Sequence, residues 1–183
     1  MQVLSDDGVV CLLLVAGKTV IVDSDEMNCV RKYTLRMTRA GYVAADIYMG
    51  YRKPYICDYL HRVILGAKKG DEIDHINNDP LDNRKCNLRL ASRSLNEGNK
   101  PPRKGTSSKY KGVSLDGKTQ KWRAQISVGE RHINIGRFDD EREAAMAYDA
   151  QAEIAYKEFA WLNKNHFDLS NAVYREREGK QRD

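Results

Sequence analysis

The chain has 183 residues, with 31 lysines and arginines against 26 aspartates and glutamates, and a net charge of +5. This length suits one large or two small domains, and a hydrophobic content of 41% excludes wholesale disorder. The longest apolar run, residues 9–16, is far shorter than the roughly 20 residues of a membrane-spanning helix. Asp6 and Asp7 stand where a signal peptide would need basic residues. We therefore expect a soluble, intracellular protein with no membrane partner.

The positive charge is concentrated in one segment. Residues 101–137 carry nine basic and two acidic side chains, a net of +7, whereas residues 1–100 carry 15 and 13 and residues 138–183 carry seven and eleven. A local excess of this size attracts polyanions. A basic run is also typical of an ordinary solvated surface. The pattern of the surrounding residues must therefore decide whether this segment binds a polyanion.

The N-terminal 54 residues predict a small β-rich scaffold. Aliphatic runs at residues 9–15 and 18–22 flank Gly17-Lys18, as in a hairpin. A helix capped by Asp23 or Ser24 follows, and residues 34–39 and 42–49 predict a second hairpin around Gly41. No residue in this scaffold indicates a chemical role.

The pattern of the four cysteines predicts buried free thiols rather than a metal site. They are Cys11, Cys29, Cys57 and Cys86, separated by 18, 28 and 29 positions. Because no C-x-x-C pair is present, we expect no structural zinc.

Residues with the chemistry of phosphodiester hydrolysis cluster between positions 73 and 96. A strand-like Ile-Asp-His precedes a polar loop, a short strand at residues 87–90 and a helix that Ser92 can cap. Hydrolysis of a phosphodiester needs a hard, oxygen-ligated cation and a base that takes a proton from water. Asp74 suits the cation and His75 the base. Adjacent strand residues point to opposite faces, so the two side chains have separate roles.

This segment resembles the HNH nuclease motif, in the Asn-ended form of phage homing endonucleases. The motif residues are Asp74-His75, Asn87 and Asn96. The flanking words are similar to the family's as well: Leu60-His61-Arg62, Asp82-Asn83-Arg84, Asn87-Leu88-Arg89 and Ser94-Leu95-Asn96. The resemblance implies a ββα unit that holds one divalent cation on Asp74 and Asn96. It also implies that His75 activates water and that Asn87 braces the loop that orients His75. Asparagine at the third motif position favours Mg²⁺ or Mn²⁺ over softer ions.

Three neighbouring residues leave alternatives open. Asn99 lies three positions after Asn96, shares its helix face and is an alternative ligand. His61 or Arg62 is predicted to contact a DNA phosphate. For His61, a packed histidine without a DNA contact is the equally weighted alternative.

A second domain follows a linker at residues 101–107, where consecutive prolines stop a helix. It spans residues 108–163 and leaves a charged tail at 164–183. Three strand-like pieces at 110–115, 121–128 and 131–138 predict a meander, and Asp139 or Asp140 caps an alanine-rich helix that runs to about Phe159. One sheet face is apolar and needs the helix as a cover, while the other is polar and positively charged. We expect DNA contacts from the exposed polar residues: Lys111, Lys121, Arg123, Gln125, Ser127, His132 and Asn134.

This domain resembles an AP2 domain, a three-stranded sheet with one helix known from plant transcription factors. The resemblance is carried by residues 110–113, 121–124, 135–138 and 143–149 and by the later Asn163. Several arginines and tryptophans that the family uses to read bases are absent, and Ser114, Ser127 and Asn134 occupy matching places. The resemblance therefore predicts the fold but not the sequence preference.

The sequence thus predicts an α+β protein: a β-rich scaffold (1–54), a ββα-metal HNH nuclease domain (55–100), a Pro-rich linker and a three-stranded antiparallel sheet with a helix. The predicted function is that of a homing endonuclease that nicks double-stranded DNA with Mg²⁺ or Mn²⁺. We expect a monomer, with a dimer as the alternative, in the cytoplasm of a bacterial host that carries a phage or mobile element. A non-catalytic DNA-binding regulator that retains the HNH fold is the rival. RNA is disfavoured because the polar sheet face lacks an aromatic platform.

Overall fold

Residues 2–6, 8–48 and 55–167 are described by a computed structural model. The chain divides after Asn99 into two units built from small antiparallel sheets and helices, which agrees with the predicted α+β class. The predicted boundary at residue 54, the end of the strand predicted over 42–49 and most of the predicted tail lie outside the described residues. None of the helices in the described ranges combines the length and the apolar character that crossing a membrane requires.

The first sheet contains the predicted hairpin and one strand more. It consists of β1 (Gln2–Asp6), β2 (Val10–Val15) and β3 (Lys18–Asp23), all antiparallel and adjacent in that order. Alternate residues of β2 and β3, including Leu13 and Val20, are fully buried, because successive side chains of a strand point to opposite faces. The sequence analysis did not predict β1.

A short helix leads into the second sheet. A 3-10 turn at Ser24–Glu26 continues into α1 (Met27–Val30), and the sheet follows with β4 (Thr34–Met37), β5 (Val43–Tyr48) and β6 (Tyr55–Tyr59). Of the two predicted caps, Asp23 or Ser24, Asp23 occupies the N-cap position of the 3-10 turn, but its side chain makes no capping hydrogen bond. Its carboxylate instead accepts the backbone N–H of Lys85 at 2.7 Å, and this bond ties β3 to the loop of the HNH motif.

The HNH motif forms a ββα unit. After α2 (Leu60–Leu65), the strands β7 (Glu72–His75) and β8 (Leu88–Ala91) pair antiparallel and α3 (Arg93–Asn99) follows. Ser92 caps α3 as predicted, with its hydroxyl accepting the N–H of Leu95 at 3.3 Å. A single hydrophobic core runs from Cys11 in β2 to Leu88 in β8. Cys11 is buried as predicted, whereas the prediction of burial is wrong for Cys57 and Cys86, which are exposed. The predicted scaffold and the predicted nuclease segment therefore share one core.

The second unit is a three-stranded meander covered by a helix. The strands are β9 (Val113–Asp116), β10 (Lys121–Val128) and β11 (Arg131–Phe138), with β10 in the centre. The helix α4 (Glu141–Tyr156) is capped by Asp140, whose carboxylate accepts the N–H groups of Arg142 and Glu143 at 2.8 and 3.1 Å. Small residues of α4 such as Ala144 and Ala145 are fully buried against the sheet.

Gly112 allows α4 to lie close to the sheet. Its φ of +73° suits glycine, and a Cβ atom there would lie 2.0 Å from Cδ2 of Tyr148 on α4. No side chain fits at such a distance. The Tyr-Lys-Gly-Val word of the AP2 resemblance thus contains a glycine that the helix–sheet packing requires.

Candidate active site and polar sheet face

Asp74 lies in a cluster of hydrogen-bond donors within the ββα unit. The residue is 3% exposed, and its carboxylate pairs with the guanidinium of Arg89 at 2.7 Å. Arg89 is the cross-strand partner of Asp74 in the β7–β8 register, so the sheet itself sets this ion pair. Arg89 was not predicted as a site residue. Its position opposite Asp74 in an antiparallel pair was the available signal.

Asn99 also binds Asp74, and it does so as a donor. Its Nδ2 lies 3.0 and 3.1 Å from the two carboxylate oxygens and 2.9 and 3.3 Å from the carbonyl oxygens of His75 and Ile76. All four partners are acceptors, which fixes the orientation of the amide. These bonds hold α3 against the end of β7, so Asn99 acts as a brace for the strand, and metal ligation by its amide oxygen stays a prediction.

Asn96 is more weakly held than Asn99. Its side chain is half-buried, and its Nδ2 lies 3.5 Å from the carbonyl oxygen of Ile73. This contact places the amide nitrogen towards Ile73 and the amide oxygen away from it, and metal ligation by Asn96 stays a prediction. The carboxylate of Asp74 and the amide of Asn96 are both hard oxygen donors, a set that fits Mg²⁺ or Mn²⁺. Across the described ranges no three His, Cys, Asp or Glu residues are grouped as a metal site.

His75 is a buried imidazole beside Asp74. It is 7% exposed and packs against other rings, with centroids 5.1 Å from His61 and 6.0 Å from Tyr42. Burial lowers the pKa of His75, although the Asn83 side chain and the carboxylate of Asp74 partly oppose that shift. The imidazole is therefore neutral at physiological pH and able to accept a proton.

Asn87 braces the loop between β7 and β8. Its Oδ1 accepts the N–H of Asn77 at 3.0 Å, and its Nδ2 donates to Oδ1 of Asn77 and to the carbonyl oxygen of Asp82 at 2.9 and 2.8 Å. Its own carbonyl oxygen accepts the N–H of Ile76. These are the contacts that a loop-bracing role requires, and the role in catalysis stays a prediction.

The same loop is attached to the first sheet. Leu81 and Asn83 exchange backbone hydrogen bonds with Ile21 of β3 at 2.9 and 2.8 Å. Within the loop, the guanidinium of Arg84 binds Asp82 at 2.6 Å and holds the pKa of that carboxyl below its usual range. The N-terminal scaffold therefore positions the loop that follows His75.

The side chains of His61 and Arg62 both contact other residues of the protein. His61 is 8% exposed and stacks on Tyr59, and burial, assisted by the charges of His75 and Arg62, lowers its pKa to about 4. A neutral imidazole makes no charged phosphate contact. Arg62 binds Asp58 at 2.9 Å and donates to the carbonyl oxygens of Lys68 and Asp71. These bonds shape the turn before β7, and DNA contact by either residue stays a prediction.

The polar face of the second sheet carries most of the predicted DNA-contacting residues. Gln125 pairs with Asn134 and Ser127 with His132 across β10 and β11, and all four are exposed. The Ser127 hydroxyl and Nδ1 of His132 lie 2.7 Å apart. Lys121 is exposed on the same face and pairs with Asp139 at 3.1 Å. Lys111 is half-buried at the sheet margin, with its backbone bonded to Asn163.

A β-bulge places one further basic side chain, that of Arg137, on this face. The register shifts between Ala124 and Gln125, so that Arg137 becomes the partner of Arg123. Unbroken alternation along β11 would have placed Arg137 on the helix side, which is why the sequence analysis missed it. Arg123 is half-buried and its Nε has no hydrogen-bond partner among the described residues.

Comparison with known proteins agrees with both units. The ββα unit and the meander with its helix define an HNH-type nuclease fold joined to an AP2-type domain. A family model for HNH endonuclease matches residues 58–97, and a model for the AP2 domain matches residues 108–157. An uncharacterised HNH endonuclease of Acanthamoeba polyphaga mimivirus is 31% identical over 154 residues, which cover 82% of this chain and 78% of that relative. This chain belongs to the HNH endonuclease family. No solved structure matches it.

Proposed function

We propose that this chain hydrolyses phosphodiester bonds of double-stranded DNA with Mg²⁺ or Mn²⁺ as its cofactor. The observation that carries the proposal is the placement of Asp74 and His75 at the end of β7, against a helix that carries Asn96. Family membership supports nuclease activity, and the AP2 match supports DNA binding. The homing role rests on the motif resemblance. The relative belongs to a giant virus, so a phage origin and a bacterial host remain proposals.

His75 acts on the water nucleophile in this proposal. The neutral imidazole takes a proton from water, and the water oxygen attacks phosphorus. The bond from phosphorus to the 3′ oxygen breaks, and that oxygen leaves as a hydroxyl after it gains a proton from solvent. The products are a 5′-phosphate and a 3′-hydroxyl. A cation held by Asp74 and Asn96 supplies electrostatic stabilisation of the negative charge on the phosphate.

The hydrogen bonds around the buried Asp74 hold the end of β7 in a fixed position. Asn99 binds both the carboxylate and the backbone of His75, so one amide fixes the relative position of the predicted ligand and the predicted base. Preorganised geometry of this kind is what lets a site act on a bound phosphate without reorganisation.

The polar sheet face docks on duplex DNA in this proposal. Its exposed amides, hydroxyl and imidazole are groups that hydrogen-bond base edges and phosphates, and the +7 segment that includes β9, β10 and most of β11 supplies attraction to phosphate. One active site in a monomer cuts one strand, so nicking is the expected outcome.

A plasmid-nicking assay tests the function. The purified chain should convert supercoiled plasmid to open circles with Mg²⁺ or Mn²⁺ and not with EDTA, and His75→Ala should lose at least about a hundredfold in rate, as expected when a general base is removed. His166→Ala is the matched control, because this exposed histidine lies in the second unit and should leave cleavage unchanged. Tight binding to duplex DNA without cleavage in any metal would instead favour the regulator.

A further inference from the structure

Arg89 holds the carboxylate that the proposed function assigns to a cation. Its Nε donates to Oδ2 of Asp74 at 2.9 Å, and its Nη2 lies 2.7 Å from the same oxygen. The amide nitrogen of Asn99 lies 3.0 and 3.1 Å from the two carboxylate oxygens. Oδ2 therefore has three donor nitrogens around it, and two of them belong to a guanidinium that carries a full positive charge.

This ion pair offsets the negative charge that would attract a cation. Mg²⁺ gives up its water ligands reluctantly, so a protein site has to attract it strongly. Of the two predicted ligands only Asp74 is charged, since the amide of Asn96 is neutral, and Arg89 balances that charge. Asp82 in the adjoining loop is also buried and is paired in the same way, with Arg84 at 2.6 Å. We therefore expect the DNA-free chain to bind a divalent cation weakly while Arg89 holds Asp74.

Arg89 is the more accessible member of the pair. Its side chain is 16% exposed, against 4% for that of Asp74. A guanidinium presents its N–H groups in a planar fork that matches a phosphate as well as a carboxylate. A phosphate of bound DNA therefore competes with Asp74 for Arg89, and it reaches the guanidinium more readily than the carboxylate.

We propose that Arg89 exchanges partners when DNA binds: it moves from the carboxylate of Asp74 to a phosphate of the duplex and so frees the carboxylate for the cation. The inference rests on the proposed function, since it needs a cation and a DNA phosphate at this site. Every charged group keeps a partner of opposite sign, with Arg89 on the phosphate and Asp74 on the cation. DNA and cation then strengthen each other's binding, by about 5- to 150-fold for a typical coupling between two ligands.

A permanent ion pair is the alternative. In that case Arg89 orients Asp74 throughout the reaction, and its removal weakens cation binding by about 10- to 100-fold, the usual effect of losing a residue that supports a metal ligand. If Arg89 competes with the cation for Asp74, its removal strengthens cation binding instead. The two roles therefore differ in the sign of one measured change in affinity.

Calorimetric titration of the DNA-free, full-length chain with Mn²⁺ gives that sign. Arg89→Gln removes the charge but keeps an amide donor for Asp74, and it should bind Mn²⁺ at least about tenfold more tightly than the wild type. Arg89→Met gives the same reading if the glutamine variant does not fold. The control is Arg93→Gln, which removes an exposed and therefore screened charge at the start of α3 and should leave the Mn²⁺ affinity unchanged. Equal or weaker Mn²⁺ binding by the folded Arg89 variant overturns the proposal.

The effect of DNA on Mn²⁺ binding tests the exchange in a chain that retains Arg89. Paramagnetic broadening of the amide signals of β7 reports the affinity of this site alone, and a His75→Ala background removes the proposed base and so prevents cleavage. A duplex oligonucleotide should raise the Mn²⁺ affinity by about 5- to 150-fold, and this gain should be smaller when Arg89→Gln is added. No gain with Arg89 present, or an equal gain in both chains, overturns the proposal.

Plasmid cleavage separates the partner exchange from the function on which it rests. Arg89→Gln should lower kcat/KM by about 10- to 100-fold, because a hydrogen bond between charged groups at the phosphate is lost. If no chain cuts DNA but the Mn²⁺ affinity changes with Arg89 as expected, hydrolysis fails and the exchange stands. If the wild-type chain cuts DNA and Arg89→Gln keeps its full kcat/KM, the exchange fails. If no chain binds Mn²⁺ with or without duplex, both fail.

Discussion

Replacing Asn99 with alanine distinguishes a structural brace from a metal ligand. The substitution removes a donor from the carboxylate of Asp74, which is paired with Arg89, and from the carbonyl oxygen of His75, at distances of 2.9 to 3.1 Å. A hydrogen bond to a charged group contributes about 1.5–3 kcal/mol and a neutral one about 0.5–1.5 kcal/mol. We therefore expect Asn99→Ala to lower the free energy of unfolding of the first unit by about 2–4 kcal/mol. Asn96→Ala should cost well under about 1 kcal/mol, since it removes one long contact of 3.5 Å.

The two tryptophans provide an internal control for that measurement. Both Trp122 and Trp161 lie in the second unit, so tryptophan fluorescence in a urea titration should give the same midpoint for both variants. Amide hydrogen exchange of β2 and β7 follows the first unit and should show the loss for Asn99→Ala only. Calorimetric titration with Mn²⁺ should show the opposite pattern: Asn96→Ala should lose affinity for Mn²⁺, whereas Asn99→Ala should retain it. If Asn99→Ala is as stable as wild type and loses Mn²⁺ affinity as strongly as Asn96→Ala, the assignment of brace and ligand is wrong.

Three further predictions concern packing, DNA contact and pH. Gly112→Ala should lower the stability of the second unit by at least about 2 kcal/mol, because of the positive φ and the clash with α4, and the tryptophan melting curve measures this loss. The control is Gly117→Ala, which should melt near wild type because an added Cβ there meets no atom within 4 Å. Lys121→Ala should weaken binding to all duplexes and flatten the salt slope by about one unit, whereas Gln125→Ala should change which sequence is preferred; equal effects of both in a salt titration would exclude this assignment. Burial lowers the pKa of His61 from 6.5 to about 4. The contribution of the neutral His61 side chain to stability is therefore complete above pH 6.5 and is lost as the pH falls towards 4. A His61→Phe variant should lose less stability between pH 6.5 and pH 4, as measured by urea titration.

Patterns of local periodicity were sufficient to predict the central elements. The aliphatic alternation of residues 9–22 gave the β2–β3 hairpin, and the alternation along β10 gave the two faces of the second sheet. The alanine-rich segment after Asp140 gave α4, because helix propensity and capping act within a few residues. The motif spacing gave the β7–loop–β8–α3 order.

Features that depend on tertiary register could not be read in this way. Arg89 meets Asp74 only through the strand register, and Asn83 is bonded to Ile21 only because the loop lies against β3. Arg137 reaches the polar face through a bulge that no alternation pattern reveals. The carboxylate of Asp23 looks like a helix cap in the sequence but binds a backbone N–H 62 residues away. In each case a long-range contact overrides a local pattern.

The central claim is that His75 and Asp74 cut duplex DNA by hydrolysis, and mapping of the cut ends tests it most directly. Supercoiled plasmid treated with the full-length chain and Mg²⁺ or Mn²⁺ would be examined for nicks that a polymerase extends and a ligase reseals. We predict nicks with a 5′-phosphate and a 3′-hydroxyl, absent with EDTA and lost together in His75→Ala and Asp74→Ala. Uncut plasmid in both metals, or equal cutting by either variant and the wild type, would contradict the account.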